Sequence, residues 1–323
     1  MSFLDPEGET QQPKLVYFPI SFFAVVMGLS GLTLAWKAGA QDFAPEAYQW
    51  FGAIASLAMI AITSVYGFKV VRHPQAVVQE SRHPVKLNFF PAFSISFLLL
   101  SAVWLENPAL SNVLWTIGAA LQICMTVYVI SSWLHHTHYT LSHANPSWFI
   151  PVVGNIIVPL GGSHLGYIEI SWFFFSIGIV FWIVLLTIVM YRLFFHEPLP
   201  ERMTPMLFIL LAPPSVGFIS YTSLIGEVDV FARVLYFSAL FMSMVLFSNI
   251  IRFLKVPFFI SSWAYSFPVA ALTAATAKMS GFFPNFFYKT LTMILLTAVT
   301  LLLTWLVYRT ITAIINDEMF KPE

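Results

Sequence analysis

Ten apolar stretches of roughly membrane-spanning length follow one another along this chain, separated by short breaks of charged, proline and glycine residues. They lie near 17–36, 47–71, 87–105, 110–134, 147–166, 168–194, 205–225, 229–253, 258–278 and 286–314. A helix rises about 1.5 Å per residue, so about 20 residues cross the roughly 30 Å hydrocarbon layer of a bilayer. Composition agrees. Of 323 residues 59% are hydrophobic and only 9% charged, against about 25% charged in soluble domains. The chain lacks the polar surface that water requires, so an all-α membrane protein of ten transmembrane helices is expected.

On this reading residues 17–315 form one transmembrane domain between an N-terminal tail, 1–16, and a C-terminal tail, 316–323. The N-terminus is acidic and polar, without the basic-then-apolar order of a cleaved signal, so the first span is expected to be retained. Little length is left for a nucleotide-binding domain, and no glycine-rich phosphate loop occurs. A formal net charge of zero leaves no basic surface for nucleic acid. The single cysteine, Cys124, excludes an internal disulfide and is expected to pack as a small apolar side chain. Lysine and arginine set the orientation. Eleven, namely Lys14, Lys69, Arg72, Arg82, Lys86, Arg192, Arg202, Arg252, Lys255, Arg309 and Lys321, fall on one side; Lys37, Arg233, Lys278 and Lys289 fall on the other. Both termini are therefore expected in the cytoplasm of a bacterial cell, the chain lying in the inner (plasma) membrane with the lipid bilayer as its partner.

Short outer connections join spans 1–2, 3–4, 5–6, 7–8 and 9–10, which reads as five helical hairpins in series. Proline marks one member of each pair: Pro19 in span 1, Pro91 in span 3, Pro151 and Pro159 in span 5, Pro213 and Pro214 in span 7, and Pro268 in span 9. None falls inside an even-numbered span. A proline within a helix removes a backbone hydrogen bond and kinks the axis. A bilayer tolerates this only where protein or water satisfies the freed carbonyl. The kinked odd helices are thus expected as an inner ring around a central pore, with the uninterrupted even helices outside. The competing reading is the general abundance of proline in membrane helices.

The spans carry no ionisable side chain near their middles, which argues against a proton relay through fixed groups and predicts an uncharged lumen. Phenylalanine precedes the proline in three odd spans, as Phe18–Pro19, Phe90–Pro91 and Phe267–Pro268, and Phe149 stands two before Pro151. Such rings would close a narrow apolar pore by bulk and dewetting; packing between helices explains them as well. His135, His136, His138 and His143 cluster after span 4, but without a carboxylate or cysteine a solvated loop is preferred to a zinc site. His164, beside Gly161 and Gly162, is placed at the pore mouth. Gly154, Asn155 and the small residues of 270–276 allow close helix approach or leave open lumen. No Ser–His–Asp set and no mid-span carboxylate pair occurs, so nothing supports an enzyme, and no metal or cofactor is called for.

NPSWFIPVVGNIIVP in span 5, LAPPSVGFISY followed by GEVD around span 7, and SWAYSFPVAALTAAT in span 9 resemble the tellurite-resistance/dicarboxylate transporter family, which includes bacterial TehA and the plant slow anion channels. The resemblance covers essentially the whole chain. It implies five hairpins around a pore lined by the inner helices, one pore per protomer, and assembly as homotrimers. It implies a gated channel for small monovalent anions such as chloride and nitrate, with export of C4-dicarboxylates, sulfite or tellurite as the alternative. A phenylalanine of the span 9 motif plugs the pore in this family. By position in SWAYSFP it is Phe267, with Tyr265 next if the register slips by two. The residues themselves do not choose among these anions, although the lack of a cationic clamp in the spans argues against tight dicarboxylate binding. Control through phosphorylated tails, as in the plant members, is not expected.

Overall fold

The computed structural model describes residues 13–135 and 140–320, and among them there is helix but no strand. His136 and His138, Lys321, and tail residues 1–12 lie outside the described residues. The helices are α1 (Phe23–Gly39), α2 (Ala47–Arg72), α3 (Pro74–Arg82), α4 (Pro91–Val103), α5 (Pro108–His135), α6 (Phe149–Val153), α7 (Pro159–Gly162), α8 (Ile168–Phe195), α9 (Ala212–Ile225), α10 (Val230–Ser248), α11 (Ile250–Leu254), α12 (Ser266–Phe282) and α13 (Phe286–Ile315). Eight helical stretches are long and apolar enough to cross a membrane, where sequence reading expects ten. The remaining two are shorter: the broken stretch Pro146–Gly162, and α12 with 17 residues.

Burial divides these stretches into two classes. Ile20–Gly39, Lys86–Val103 and Glu201–Ile225 are 67–78% buried, whereas α2, α5, α8, α10 and α13 are only 28–33% buried. The second class turns Trp50, Ile60, Phe173, Val180, Phe241 and Leu301 outward, an apolar exterior suited to lipid. Cys124 on α5 is exposed, contrary to the expected packed thiol, because this helix buries only a narrow face. The buried class closes on itself: α1 packs on α4, α4 on α6 and α7, α7 on α9, α9 on α12, and α12 on α1. Each also packs on the helix that follows it, as in α1–α2, α4–α5, α9–α10 and α12–α13. Contact between α1 and α12 depends on glycine. A Cβ on Gly28 would lie 2.2 Å from Ser266 Oγ, so the two backbones approach as only a residue without a side chain permits.

Most prolines of the buried segments stand close to where 3₁₀ turns give way to α-helix. Each buried segment contains 3₁₀ turns that lead into α-helix, namely Ile20–Phe22, Lys86–Phe89, Gly154–Ile157, Glu201–Leu211 and Ile260–Tyr265. Pro91 and Pro159 are the first residues of α4 and α7, Pro213 and Pro214 fall in the first turn of α9, and Pro151 and Pro268 are third in α6 and α12. Pro19 is extended (φ −87°, ψ 152°) and precedes the turn before α1. Within these continuous right-handed stretches a proline leaves a carbonyl of the preceding turn without its backbone donor. The carbonyls left over in Pro146–Gly162 are taken by neighbours: Gln122 Nε2 (3.1 Å) and Thr126 Oγ1 (2.8 Å) donate to Pro151 O, Ser220 Oγ to Ile156 O (2.6 Å) and Trp115 Nε1 to Val158 O (2.9 Å).

Both ends of the described chain reach the same face, where Lys14 pairs with Asp317 at 2.5 Å and Phe320 stacks on Phe18 and Phe22. On this termini face Lys69, expected in a loop, is buried. Its ammonium donates to Glu80 Oε2 and Phe18 O, each at 2.8 Å, while Glu80 Oε1 accepts from Ile20 N–H at 2.7 Å. The ion pair ties α2 and α3 to the chain on either side of Pro19.

Candidate functional site

Three cavities follow one another from the termini face to the opposite, far face. The first, of about 360 Å³, is lined by Pro19, Glu80, Arg202, Phe259 and Met319 among others. The second, of about 80 Å³, is walled by apolar groups such as Met27, Phe149, Ile157, Pro213 and Trp263. The third, of about 510 Å³, opens on the far face. Phe89 and Ile260 line both the first and second, and Val216 and Phe267 line both the second and third. Every residue lining the central and far-face cavities comes from the buried segments or their ends, and none from α2, α5, α8, α10 or α13.

Phe267 is the second residue of α12, 8% exposed, at the junction of 3₁₀ and α-helix. Gly31 of α1 lies opposite, where a Cβ would come within 3.1 Å of Phe267 Cδ2. From Phe267 a helical stripe runs toward the far face through Ala270, Ala271, Ala274 and Lys278, at offsets of three, four, seven and eleven residues. The alanines keep that wall thin.

Of the other residues singled out in the sequence, Pro213, Pro268 and Phe149 line the central cavity and Pro19 the termini-face one. Phe18 stacks on Phe22, centroids 4.4 Å apart, and Phe90 is half-buried; neither lines a cavity. Pro91, Pro151, Pro159 and Pro214 are buried in packing contacts. Tyr265 packs edge-on against Phe208 at 4.8 Å and lines none of the three. Equal spacing to a proline does not give equal register. Phe90 precedes its helix, with Pro91 in first place, whereas Phe267 is already inside its helix with Pro268 in third place. Phe89, one residue earlier, takes the lining position. His135 is exposed, with Nδ1 2.8 Å from Ser131 O, and His143 Nδ1 accepts from Thr140 N–H. Among the described residues no three His, Cys, Asp or Glu side chains gather to hold a metal.

The far-face cavity corrects the expectation of an uncharged lumen. Lys37 and Lys278, counted from sequence on the outer side at the ends of spans 1 and 9, belong to α1 and α12 and line it together with His164. Lys37 lies 3.4 Å from Glu106 and 4.9 Å above the Tyr48 ring, whose hydroxyl donates to Glu106. That bond, with Lys37 nearby, holds the Glu106 carboxyl below the usual carboxylate range. Lys278 Nζ donates to Ser223 Oγ (2.7 Å) and Ile219 O (3.1 Å) and has no carboxylate partner among the described residues. The eleven-residue offset from Phe267 was the signal that would have placed Lys278 on the lumen face.

The chain is thus a multi-pass, all-helical membrane protein whose buried helices enclose a string of cavities, apolar at the centre and cationic toward one face. Residues 17–311 match the voltage-dependent anion channel (SLAC1) family, and the chain belongs to it. The resemblance read from spans 5, 7 and 9 therefore holds. Among its relatives the S-type anion channel SLAH2 of Arabidopsis thaliana is 31% identical over 92% of this chain and 59% of its own length. The guard cell S-type anion channel SLAC1 of the same plant is 28% identical over 86% and 52%. The tellurite resistance protein TehA homolog of Haemophilus influenzae is 28% identical over 81% and 82%. The chain spans about half the length of the plant channels SLAH2, SLAH3 and SLAC1.

Proposed function

We propose that this chain is a gated channel for small monovalent anions such as chloride and nitrate. In this reading residues 17–315 cross the membrane ten times as five hairpins, the buried segments forming an inner ring and the exposed helices an outer one. Phe267 is the gate. The observation that carries this is its place between cavities of about 80 and 510 Å³, each of which it lines. A ring across a narrow apolar passage blocks an ion by bulk and by leaving no room for its hydration water. Phe18, Phe90, Tyr265 and the prolines then act by packing and by shaping the segments that hold Phe267. Basic residues gathered on the termini face support a cytoplasmic location for both ends. The channel is read as a homotrimer in a bacterial inner membrane. The relatives named as anion channels support the solute class.

The test is current through the Phe267→Ala protein in a heterologous membrane, with nitrate, chloride, sulfate and malate exchanged in turn. Anion conductance is expected to rise well above that of the unaltered chain. A correctly folded variant with no added conductance overturns the gate. Two lysines in one cavity favour one rival, a secondary exporter of C4-dicarboxylates, sulfite or tellurite. Proteoliposome flux that saturates and exchanges, without setting a voltage, would establish the rival.

A further inference from the structure

Lys278 is a partly buried cation held in a fixed cradle on the wall of the far-face cavity. Ser223 gives its own proton to Ile219 O at 2.8 Å, which aligns its oxygen to accept from Lys278 at 2.7 Å; Lys278 also donates to Ile219 O at 3.1 Å. An ammonium has three protons to donate, so one remains for the cavity that Lys278 lines. A cation withdrawn from bulk water and not matched by a carboxylate is stabilised by an anion that takes up its free donor. The other lysine on this wall differs. Lys37 has Glu106 at 3.4 Å and Val103 O at 3.3 Å, so its charge is already matched by a carboxylate. Gly31, Ala270, Ala271 and Ala274 border the same space with small side chains, which leaves room for an anion.

We propose that Lys278, positioned by Ser223 and Ile219, is a capture site for one small monovalent anion on the far side of Phe267, and that Lys37 supplies no second anchor. The proposal deepens the channel reading and rests on it for its meaning, but the site itself fills whether Phe267 blocks or not. Eleven residues separate the two along α12, roughly 16 Å at helical rise. The Lys278 charge raises the local anion concentration on that side of the constriction and repels cations there.

The purified full chain is titrated with sodium nitrate at constant ionic strength, gluconate being the balancing anion, and the thermal midpoint is read. A saturable rise is expected for the unaltered protein and for Lys278→Arg. Lys278→Met is expected to raise the half-saturating nitrate concentration roughly tenfold, the loss of one charge-assisted hydrogen bond. Lys37→Met is expected to stay within about twofold, as for other partly exposed, already paired cations. An unchanged titration in a folded Lys278→Met protein overturns the proposal. So does malate saturating the unaltered chain below nitrate, since that assigns the cavity to a dianion held by both lysines. Iodide located by anomalous scattering in crystals of the unaltered chain needs no variant: a peak against Lys278 supports the site, and iodide bound only elsewhere overturns it. If the unaltered chain shows no saturable nitrate rise while Phe267→Ala conducts, the capture site falls and the channel stands. If binding holds while Phe267→Ala is silent, the channel reading falls alone.

Discussion

The buried segments and the exposed helices of this protein obey different rules, although both are apolar. Helices α2, α5, α8, α10 and α13 run for 19 to 30 residues without a proline beyond the first position. Between their end turns they satisfy the backbone internally, which is what contact with lipid demands. The buried segments change from 3₁₀ to α-helix part-way and leave carbonyls over. They can do so because Gln122, Thr126, Ser220 and Trp115 reach those carbonyls from neighbouring helices. Irregular backbone is thus confined to where protein can answer it, and the same place is where the cavities lie. The difference teaches that apolarity alone does not tell a lipid-facing helix from a lumen-facing one; backbone continuity does.

Substitutions that breach the buried class should break this contrast most severely. Gly28→Leu drives a side chain into Ser266 and Trp263, so α1 and α12 must part. The expected outcome is loss of monodisperse protein on size-exclusion chromatography, and a wild-type profile would refute the close packing. Next in size is Glu80→Ala, which strands buried Lys69 and frees Ile20 N–H. Removing one partner of a buried ion pair costs about 3–5 kcal/mol, seen as a lower thermal midpoint. Gln122→Ala takes one of two donors from Pro151 O and the acceptor from Ser94 Oγ. Thr126 still donates to Pro151 O and Ser94 Oγ still donates to Pro91 O, so about 0.5–1.5 kcal/mol is expected, the net worth of a typical hydrogen bond. At the small end, Ile60→Leu on the exposed face of α2 should move the midpoint by less than about 0.5 kcal/mol. A large effect there would mean that this face is covered by protein and not lipid.

Much of this division is legible in the order of residues alone. Within the spans proline occurs only in the segments that prove to be buried, because a missing N–H is tolerated where protein surrounds the chain. The motif SWAYSFPVAALTAAT also contains both the bulky ring and the small residues that line the cavities. What failed was register. Phe90 and Phe267 look alike next to their prolines, yet only Phe267 lines a cavity, since side-chain direction depends on where the 3₁₀ turn ends. Lys37 and Lys278 looked like the outer ends of spans 1 and 9 because a charge normally ends a span. In α1 and α12 the helix continues past it and the lysine faces a cavity wide enough for water.

The amino-acid sequence by itself determined that the chain is helical, that it lies in a membrane, and which family it joins, because composition and run length leave a bilayer as the only fitting solvent. Only the tertiary structure decided which phenylalanines meet the lumen and which lysines stay unmatched. Those outcomes depend on rotation about each helix axis and on what a neighbouring helix offers, and neither quantity is written in the spacing of a single segment.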